Sequence, residues 1–267
     1  MSIHKKNNLL LLLFGIFLTN AILAELIGAK IFSLEAIWNL PPAQIRLFDN
    51  LLLDINLTAG VVIWPIVFVT TDVINEYFGK NAVRKISYLA AGLIAFAFIV
   101  ISVVIYLPPA PFWLDVNNTD PTGNPFDINY AFTQVYQQGL GIIIGSLIAF
   151  LIGQLLDASI FQYLRRLTGN KKVWLRATGS TLVSQLVDSF VVLTVAFYVF
   201  GNWSIQQVIS VGVINYAYKF VIAILLTPVI YLAHYLIDWY LGKTTAESLR
   251  VEATAGTTFK DDPGVEH

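Results

Sequence analysis

Three apolar stretches of this chain carry groups that do not belong in oil. Asp72, Asn75 and Glu76 interrupt TAGVVIWPIVFVTTDVINEYFG, Gln185 and Asp188 interrupt ATGSTLVSQLVDSFVVLTVAFYVF, and Lys219 interrupts VISVGVINYAYKFVIAILLTPVIYLA. A charge near mid-bilayer costs at least about 2.5–3.5 kcal/mol on insertion scales, so such residues usually face a bundle interior and mark a transport path. A carboxylate there can take a proton, a cation or the N–H donors of a ligand, and an ammonium or amide supplies the opposite donor. The chemistry expected is transfer of a small polar molecule, not bond making.

Spacing sorts these groups onto faces. Asp72 and Glu76 are four apart and Asn75 is three from Asp72, so one helix face carries all three, with Thr71 flanking. Glu76 sits within reach of Lys80 and Arg84 and could serve only as a topology anchor. Asp72, one turn deeper, reads as functional. Thr181, Ser184, Gln185 and Asp188 form a second polar stripe. Hydroxyls and amides also join helices, at ~0.6–2 kcal/mol each, so Ser184 can be packing alone. Asp188, near mid-membrane, needs a cationic partner, a proton or a polar ligand. Lys219, with Asn215 on the same face, is the candidate partner, and a purely structural Asp188–Lys219 ion pair is the alternative. Glu25 and Lys30 are five apart and poorly placed to pair along a helix; Gly28 between them, with Gly15 earlier, permits close approach of a neighbour, and Lys30 can snorkel. Gln154-Leu-Leu-Asp157 echoes Gln185-Leu-Val-Asp188, as in repeat-built transporters, but the nearness of Arg165 and Arg166 points Asp157 to a structural role. Trp64, Phe68, Tyr77, Phe190 and Tyr216 lie near the polar stripes in sequence and offer flat faces.

The elements that must position these groups are membrane-spanning helices. The chain is 57% hydrophobic and 12% charged, against about 25% charged for a soluble domain. A hydrocarbon core about 30 Å thick needs roughly 20 mostly apolar residues per helix. Six segments qualify, near 9–34, 58–79, 84–107, 131–157, 177–200 and 206–238. The expected fold is an all-α integral membrane protein, a bundle of about six transmembrane helices. The first segment is too long for a signal peptide and reads as a retained helix. Lys5, Lys6, Lys80, Arg84, Lys85, the basic cluster from Arg165 to Arg176, and Lys243, Arg250 and Lys260 fall at the amino end, the even loops and the tail, whereas the odd loops hold Arg46 alone. Both termini are therefore expected to be cytoplasmic.

Residues 1–242 read as one polytopic domain, and 243–267 as a polar cytoplasmic tail expected to be disordered. In the loop 35–57, LFDNLLLD is amphipathic and suggests a short interfacial helix. The loop 108–130, with five prolines, reads as an irregular external cap.

Other functions find little support. His4, His234 and His267 are isolated, no HExxH or glycine-rich phosphate loop occurs, and no metal or cofactor is expected. The net charge of −1 gives no reason to expect a nucleic-acid partner. The absence of cysteine removes disulfides and thiol chemistry. Paired aspartates could serve an intramembrane protease, but its glycine-flanked motif is missing. A non-transporting scaffold would leave the buried charges without employment. Self-association stays open.

The string from Thr71 through Asp72, Asn75, Glu76 and Gly79 to Lys80, with Arg84 following, resembles the signature of the queuosine-precursor transporter family, within the wider vitamin-uptake group. The likeness extends to Glu25-Leu-Ile-Gly28-Ala-Lys30, to Ser184-Gln185-Leu-Val-Asp188-Ser, and to Lys219. It implies uptake of 7-cyano-7-deazaguanine or 7-aminomethyl-7-deazaguanine, a purine-like substrate bound by Glu25, Lys30, Asp72, Asn75, Glu76, Gln185, Asp188, Asn215 and Lys219. Two energy sources stay open: a self-sufficient carrier, or a substrate-binding subunit resembling those of energy-coupling-factor transporters, which rely on separate ATPase subunits. Such subunits dock through AxxxA patches on the first span, a spacing that Ala21 and Glu25 break, which favours the carrier.

Overall fold

The computed structural model describes residues 2–28, 30–48, 51–137, 140–168 and 172–255. It is a helical bundle, in which five helices are long and apolar enough to cross a bilayer: α1 (Ser2–Ile27), α3 (Trp64–Ile105), α6 (Leu140–Thr168), α7 (Val173–Leu193) and α8 (Ile205–Leu225). The five come from the described residues by length and composition. α7 continues into a π-helical turn, Thr194–Val199. α1 packs on α3, α3 on α6, α6 on α7 and α7 on α8.

The core is built where Leu9, Leu13, Phe17 and Ala21 of α1 meet Val67, Ile74, Phe78, Ile86 and Ile94 of α3, with Phe150 and Ala158 of α6. The outer surface is apolar too. Leu11, Phe96, Ile99 and Trp239 are 71%, 62%, 63% and 77% exposed, a pattern a water-soluble monomer rarely tolerates and a lipid-facing surface requires.

α3 has 42 residues, about 63 Å at 1.5 Å per residue and roughly twice the hydrocarbon thickness. It is not continuous. Gly79 has φ 81° and ψ 171°, a conformation open essentially to glycine alone. The segments expected at 58–79 and 84–107 are thus two helical arms, 64–78 and 80–105, joined by a single residue. The segment expected at 206–238 is also two pieces, α8 and α9 (Thr227–Leu241), because Pro228 enters the first turn of α9 and removes a backbone donor. The fourth segment lies later than expected, since 128–136 forms a separate short helix, α5, before α6.

The connections correct several expectations. The first helix stops at Ile27, not 34, because Ile31–Ser33 leaves it as strand β1 and pairs antiparallel with β4 (Asn56–Thr58); Ala59 N–H closes the join on the Lys30 carbonyl at 2.8 Å. LFDNLLLD is no interfacial helix. Strands β2 (Ile45–Phe48) and β3 (Leu51–Leu53) pair antiparallel, and Gln44 N–H donates to Asp54 Oδ1 at 3.1 Å at the open end. Between these ribbons a four-residue helix, α2 (Leu34–Ile37), carries Glu35. Its carboxylate accepts the N–H groups of Ile55 at 2.6 Å and Ala43 at 3.3 Å and the Ser33 hydroxyl at 2.9 Å. The Ile55 amide foremost, with Ser33 and Ala43, holds this carboxyl below the usual glutamate range. The proline-rich loop contains a short helix, α4 (Pro111–Val116).

The tail departs most from expectation. Lys243–Ala255 forms helix α10 after a turn at Gly242 (φ 83°), and it buries Ala246, Leu249 and Ala253. Three small or aliphatic residues at helical spacing supply a seam that the polar composition hides. Residues 256–267 lie outside the described residues. α10 lies against α3, and the Gly79 break makes room for it: a Cβ on Gly79 would stand 3.1 Å from the Ala253 carbonyl oxygen.

Replacing Gly79 with alanine is expected to lower stability by roughly 1–3 kcal/mol through backbone strain, read as a fall in melting temperature in detergent. Gly15→Ala, with nothing within 4 Å of the new methyl, should not lower it. Because the Glu35 carboxyl is depressed in the folded state, its contribution is full above the ordinary glutamate range and disappears as pH falls through the lowered value. Amide exchange at Ile55 should therefore be protected at neutral pH and lose that protection in Glu35→Gln.

Candidate functional site

The first arm of α3 arranges its polar and aromatic residues in levels. Trp64 and Phe68 come first and stack on each other, with centroids 5.8 Å apart at 19°. Thr71 and Asp72 follow one turn on, then Asn75 and Glu76, then the Gly79 break. Successive levels are about 6 Å apart along the helix axis.

At the aromatic level lies a small cleft, open on one side, lined by Trp64, Phe68, Phe150, Gly153, Gln154, Gln185, Asp188 and Lys219. Lys219 Nζ donates to Asp188 Oδ2 at 2.5 Å, and the two side chains keep 19% and 22% exposure. The pair therefore faces the cleft and is not sealed in the core. Gly153 lies directly against Asp188, where a Cβ would stand in ordinary contact at 3.7 Å from Oδ1. Gln154 Oε1 accepts from the Thr71 hydroxyl at 3.0 Å, so its NH₂ donors are what it can offer a ligand. One carboxylate, one ammonium, two amides and a stacked aromatic wall thus converge.

Glu25 approaches this region from α1. It meets Ser146 of α6 and lies within electrostatic reach of Asp188.

Below the cleft, Asp72 is 1% exposed, and its Oδ1 has no hydrogen-bond partner among the described residues. It lines a second, smaller cavity with Phe68, Val69, Thr178, Thr181, Ala223, Leu226 and Ile230. Asp157 lies beside it on α6. Its Oδ1 accepts the Ser184 hydroxyl at 3.2 Å. The expectation that Arg165 and Arg166 would make Asp157 a structural anchor is not met by Arg165, which points the other way.

Arg165 belongs to the next level. Glu76 accepts Arg176 Nη2 at 2.6 Å and has Arg165 and Arg250 each at 3.6 Å, with Glu76, Arg165 and Arg176 all 1% exposed and Arg250 18%. The arginines come from α6, α7 and α10, and not from the Lys80 and Arg84 that the sequence suggested. Beside the Gly79 break, the carbonyls of Asn75 and Glu76 accept Gln162 Nε2 at 3.0 Å and Arg165 Nη1 at 2.8 Å, side-chain donors of the kind a helix end needs. Asn75 also donates to the Ala158 carbonyl at 3.1 Å. Tyr77 donates to Asp238 at 2.7 Å and receives Arg250.

The structure therefore gathers Trp64, Phe68, Gln185, Asp188 and Lys219 at one cleft, with Asp72 one level deeper. Asn75, Glu76 and Tyr77 lie in the polar lock below. Phe190 packs against Gly212 of α8, where a Cβ would come within 2.6 Å of the ring. Asn215 and Tyr216 are half-buried outside both cavities, and Tyr216 meets Phe220 edge-on. Lys30 is exposed in the join between α1 and β1. Sequence reasoning missed Phe150, Gly153 and Gln154 as cleft residues; the Gln154–Asp157 echo was the signal that could have found two cavity-level groups on α6.

A family model described as "Putative vitamin uptake transporter" matches residues 58–233. The chain belongs to that family. It is 29% identical over 184 residues to a probable queuosine precursor transporter of Bacillus subtilis (strain 168), covering 68% of this chain and 73% of the relative. It is 28% identical over 170 residues to a probable queuosine precursor transporter of Haemophilus influenzae, covering 63% of this chain and 64% of that one. No solved structure matches the chain.

Two carboxylates on opposite sides of Asp72 should respond differently to removal of charge. Glu76→Gln strands buried arginines and is expected to cost about 3–5 kcal/mol. Asp188→Asn leaves Lys219 beside a hydrated cleft and should cost no more than about 1 kcal/mol. Melting curves of the two variants in the same detergent check the contrast.

Proposed function

We propose that this member of the putative vitamin uptake transporter family imports 7-cyano-7-deazaguanine or 7-aminomethyl-7-deazaguanine across a bacterial inner membrane as a self-sufficient carrier. The observation that carries the reading is the convergence of Asp188, Lys219, Gln154 and Gln185 beside the Trp64–Phe68 stack. A guanine-type edge presents adjacent ring N–H and amino donors, which one carboxylate accepts in a bidentate way. Its carbonyl oxygen needs a donor, for which Lys219 is placed. The flat ring needs an aromatic wall. The carboxylate and ammonium contact each other, and a ligand edge entering between them would replace both contacts.

The names of the two relatives support this substrate class, and the topology follows from the basic residues. With six crossings, the arms of α3 count as two, and the Gly79 break, the arginine lock and α10 lie on the cytoplasmic side. The cleft then lies nearer the outer mouth. The second reading, a subunit driven by separate ATPases, needs a small-residue face on the first span free for docking. Ala21 and Ala24 are 0% and 2% exposed, turned into the bundle, which favours the carrier.

Calorimetry on the purified protein should show micromolar or tighter binding of either deazaguanine and none of riboflavin or biotin. Binding of a vitamin with no heat from either deazaguanine would move the substrate elsewhere. In liposomes holding this protein alone, uptake should proceed and be lost in Asp188→Asn. Uptake only after addition of ATPase subunits would decide for the second reading.

A further inference from the structure

The buried acid below the cleft is unused by the binding reading above. Asp72 is 1% exposed and faces a cavity otherwise lined by Phe68, Val69, two threonine hydroxyls and three aliphatic side chains. Its Oδ1 receives no hydrogen bond among the described residues. An isolated carboxylate in such a place is unstable; it must neutralise or acquire a cation.

The charges around it decide which. On its own helix Glu76 lies one turn below, and that carboxylate is already matched by Arg165, Arg176 and Arg250. α6 presents Asp157, a like charge, and α7 presents Arg176, which donates to Glu76 at 2.6 Å. α8 and α9 bring only Ala223, Leu226 and Ile230 to the cavity. The Ser184 hydroxyl donates to Asp157 Oδ1 at 3.2 Å; Asp72 Oδ1 has no such donor among the described residues. The Thr71–Gln154 and Asn75–Ala158 hydrogen bonds set Asp157 of α6 at the level of Asp72 on α3. Two acids at one level, one hydrogen-bonded and one with a bare oxygen, favour a state in which one proton is held between them.

We propose that Asp72 and Asp157 form a proton-carrying pair, distinct from the solute cleft, and that this pair couples uptake to proton entry. One proton bound from the outer side neutralises Asp72 and leaves it to the inner side with the solute; no covalent bond to the solute forms or breaks. The coupling half rests on the transport reading above. Two contacts link the sites. Phe68 walls both cavities, and Gln154, which lines the cleft, holds Thr71, the residue next to Asp72, at 3.0 Å. A ligand that draws the Gln154 amide toward itself alters the hydrogen bond beside the acid.

Glu76, on the same helix face, is already matched by three guanidinium groups and offers Asp72 no such partnership.

Infrared spectroscopy of the purified protein, without any solute, tests the site itself. A carbonyl stretch of a protonated carboxyl at neutral pH, shifted in heavy water and absent from Asp72→Asn, is expected. Asp157→Asn should shift that band while retaining it, because the neighbour changes and the proton holder does not. A wild-type spectrum with no such band, or a band surviving in Asp72→Asn, overturns the pair, whatever the solute proves to be. Liposomes with the membrane potential clamped test the coupling with 7-cyano-7-deazaguanine, which is uncharged. One proton per solute allows about tenfold accumulation per pH unit of imposed gradient. Accumulation in the wild type and none in Asp72→Asn supports it. Uptake indifferent to the gradient overturns coupling. Calorimetry without heat in the wild type would mean that the substrate assignment has failed, and the infrared result would still decide the proton site.

Discussion

Charge placed inside an apolar bundle must be matched within the bundle, and every functional feature of this protein is arranged around how that is done. At one end, Glu76 gathers guanidinium groups from three separate elements, α6, α7 and α10. Three of these charges, Glu76, Arg165 and Arg176, have no water to fall back on, each being 1% exposed. Such an arrangement adds little net stability over an apolar core, but breaking it is severe. Its value is positional: one register of α3 against α6 and α7 satisfies it, and that register places Asp72 and Phe68 where they stand.

The Gly79 break is the backbone counterpart of that lock. A continuous helix of 42 residues would carry Lys80 onto the face that now holds Glu76 and would leave no space for α10. The break frees main-chain carbonyls, and side chains of Gln162 and Arg165 take them up. One glycine in an otherwise excluded conformation therefore does three things: it turns the chain, creates acceptors for the arginine lock, and lets the Ala253 backbone approach. The sequence string around it reads as one motif because backbone and charge requirements fall on adjacent residues.

Much of this was legible from residue types. The apolar lengths announced a helical membrane bundle, a helical period put Gln185 and Asp188 on one stripe, and Lys219, as the one cation within the later apolar stretches, was the candidate partner for Asp188. What sequence could not supply was partner choice between distant helices. Local spacing pointed Glu76 at Lys80 and Arg84, and Asp157 at Arg165, since those were the nearest opposite charges along the chain; the bundle chose partners by depth. The same limit applies to Phe150 and Gly153, ordinary residues until α6 brings them against α7. LFDNLLLD misled because amphipathic helix and alternating strand are hard to separate over eight residues, and α10 hid a three-residue apolar seam in a polar segment.

Depth also explains why the carboxylates divide their work. Asp188 keeps a fifth of its surface open and holds a lysine that a ligand can displace; Glu76 is closed and permanently matched. Asp72 lies between them, closed like Glu76 but without its cations. A group in that position cannot bind a large solute, because its cavity is walled by Phe68 above and aliphatic side chains beside it. Nor can it act as a static anchor through Oδ1, which has no hydrogen-bond partner among the described residues. The smallest exchangeable charge, a proton, meets both constraints. A cleft that recognises, a buried acid that changes charge, and a lock that fixes their helices form a sequence of levels down one arm of α3, each set by how far water reaches.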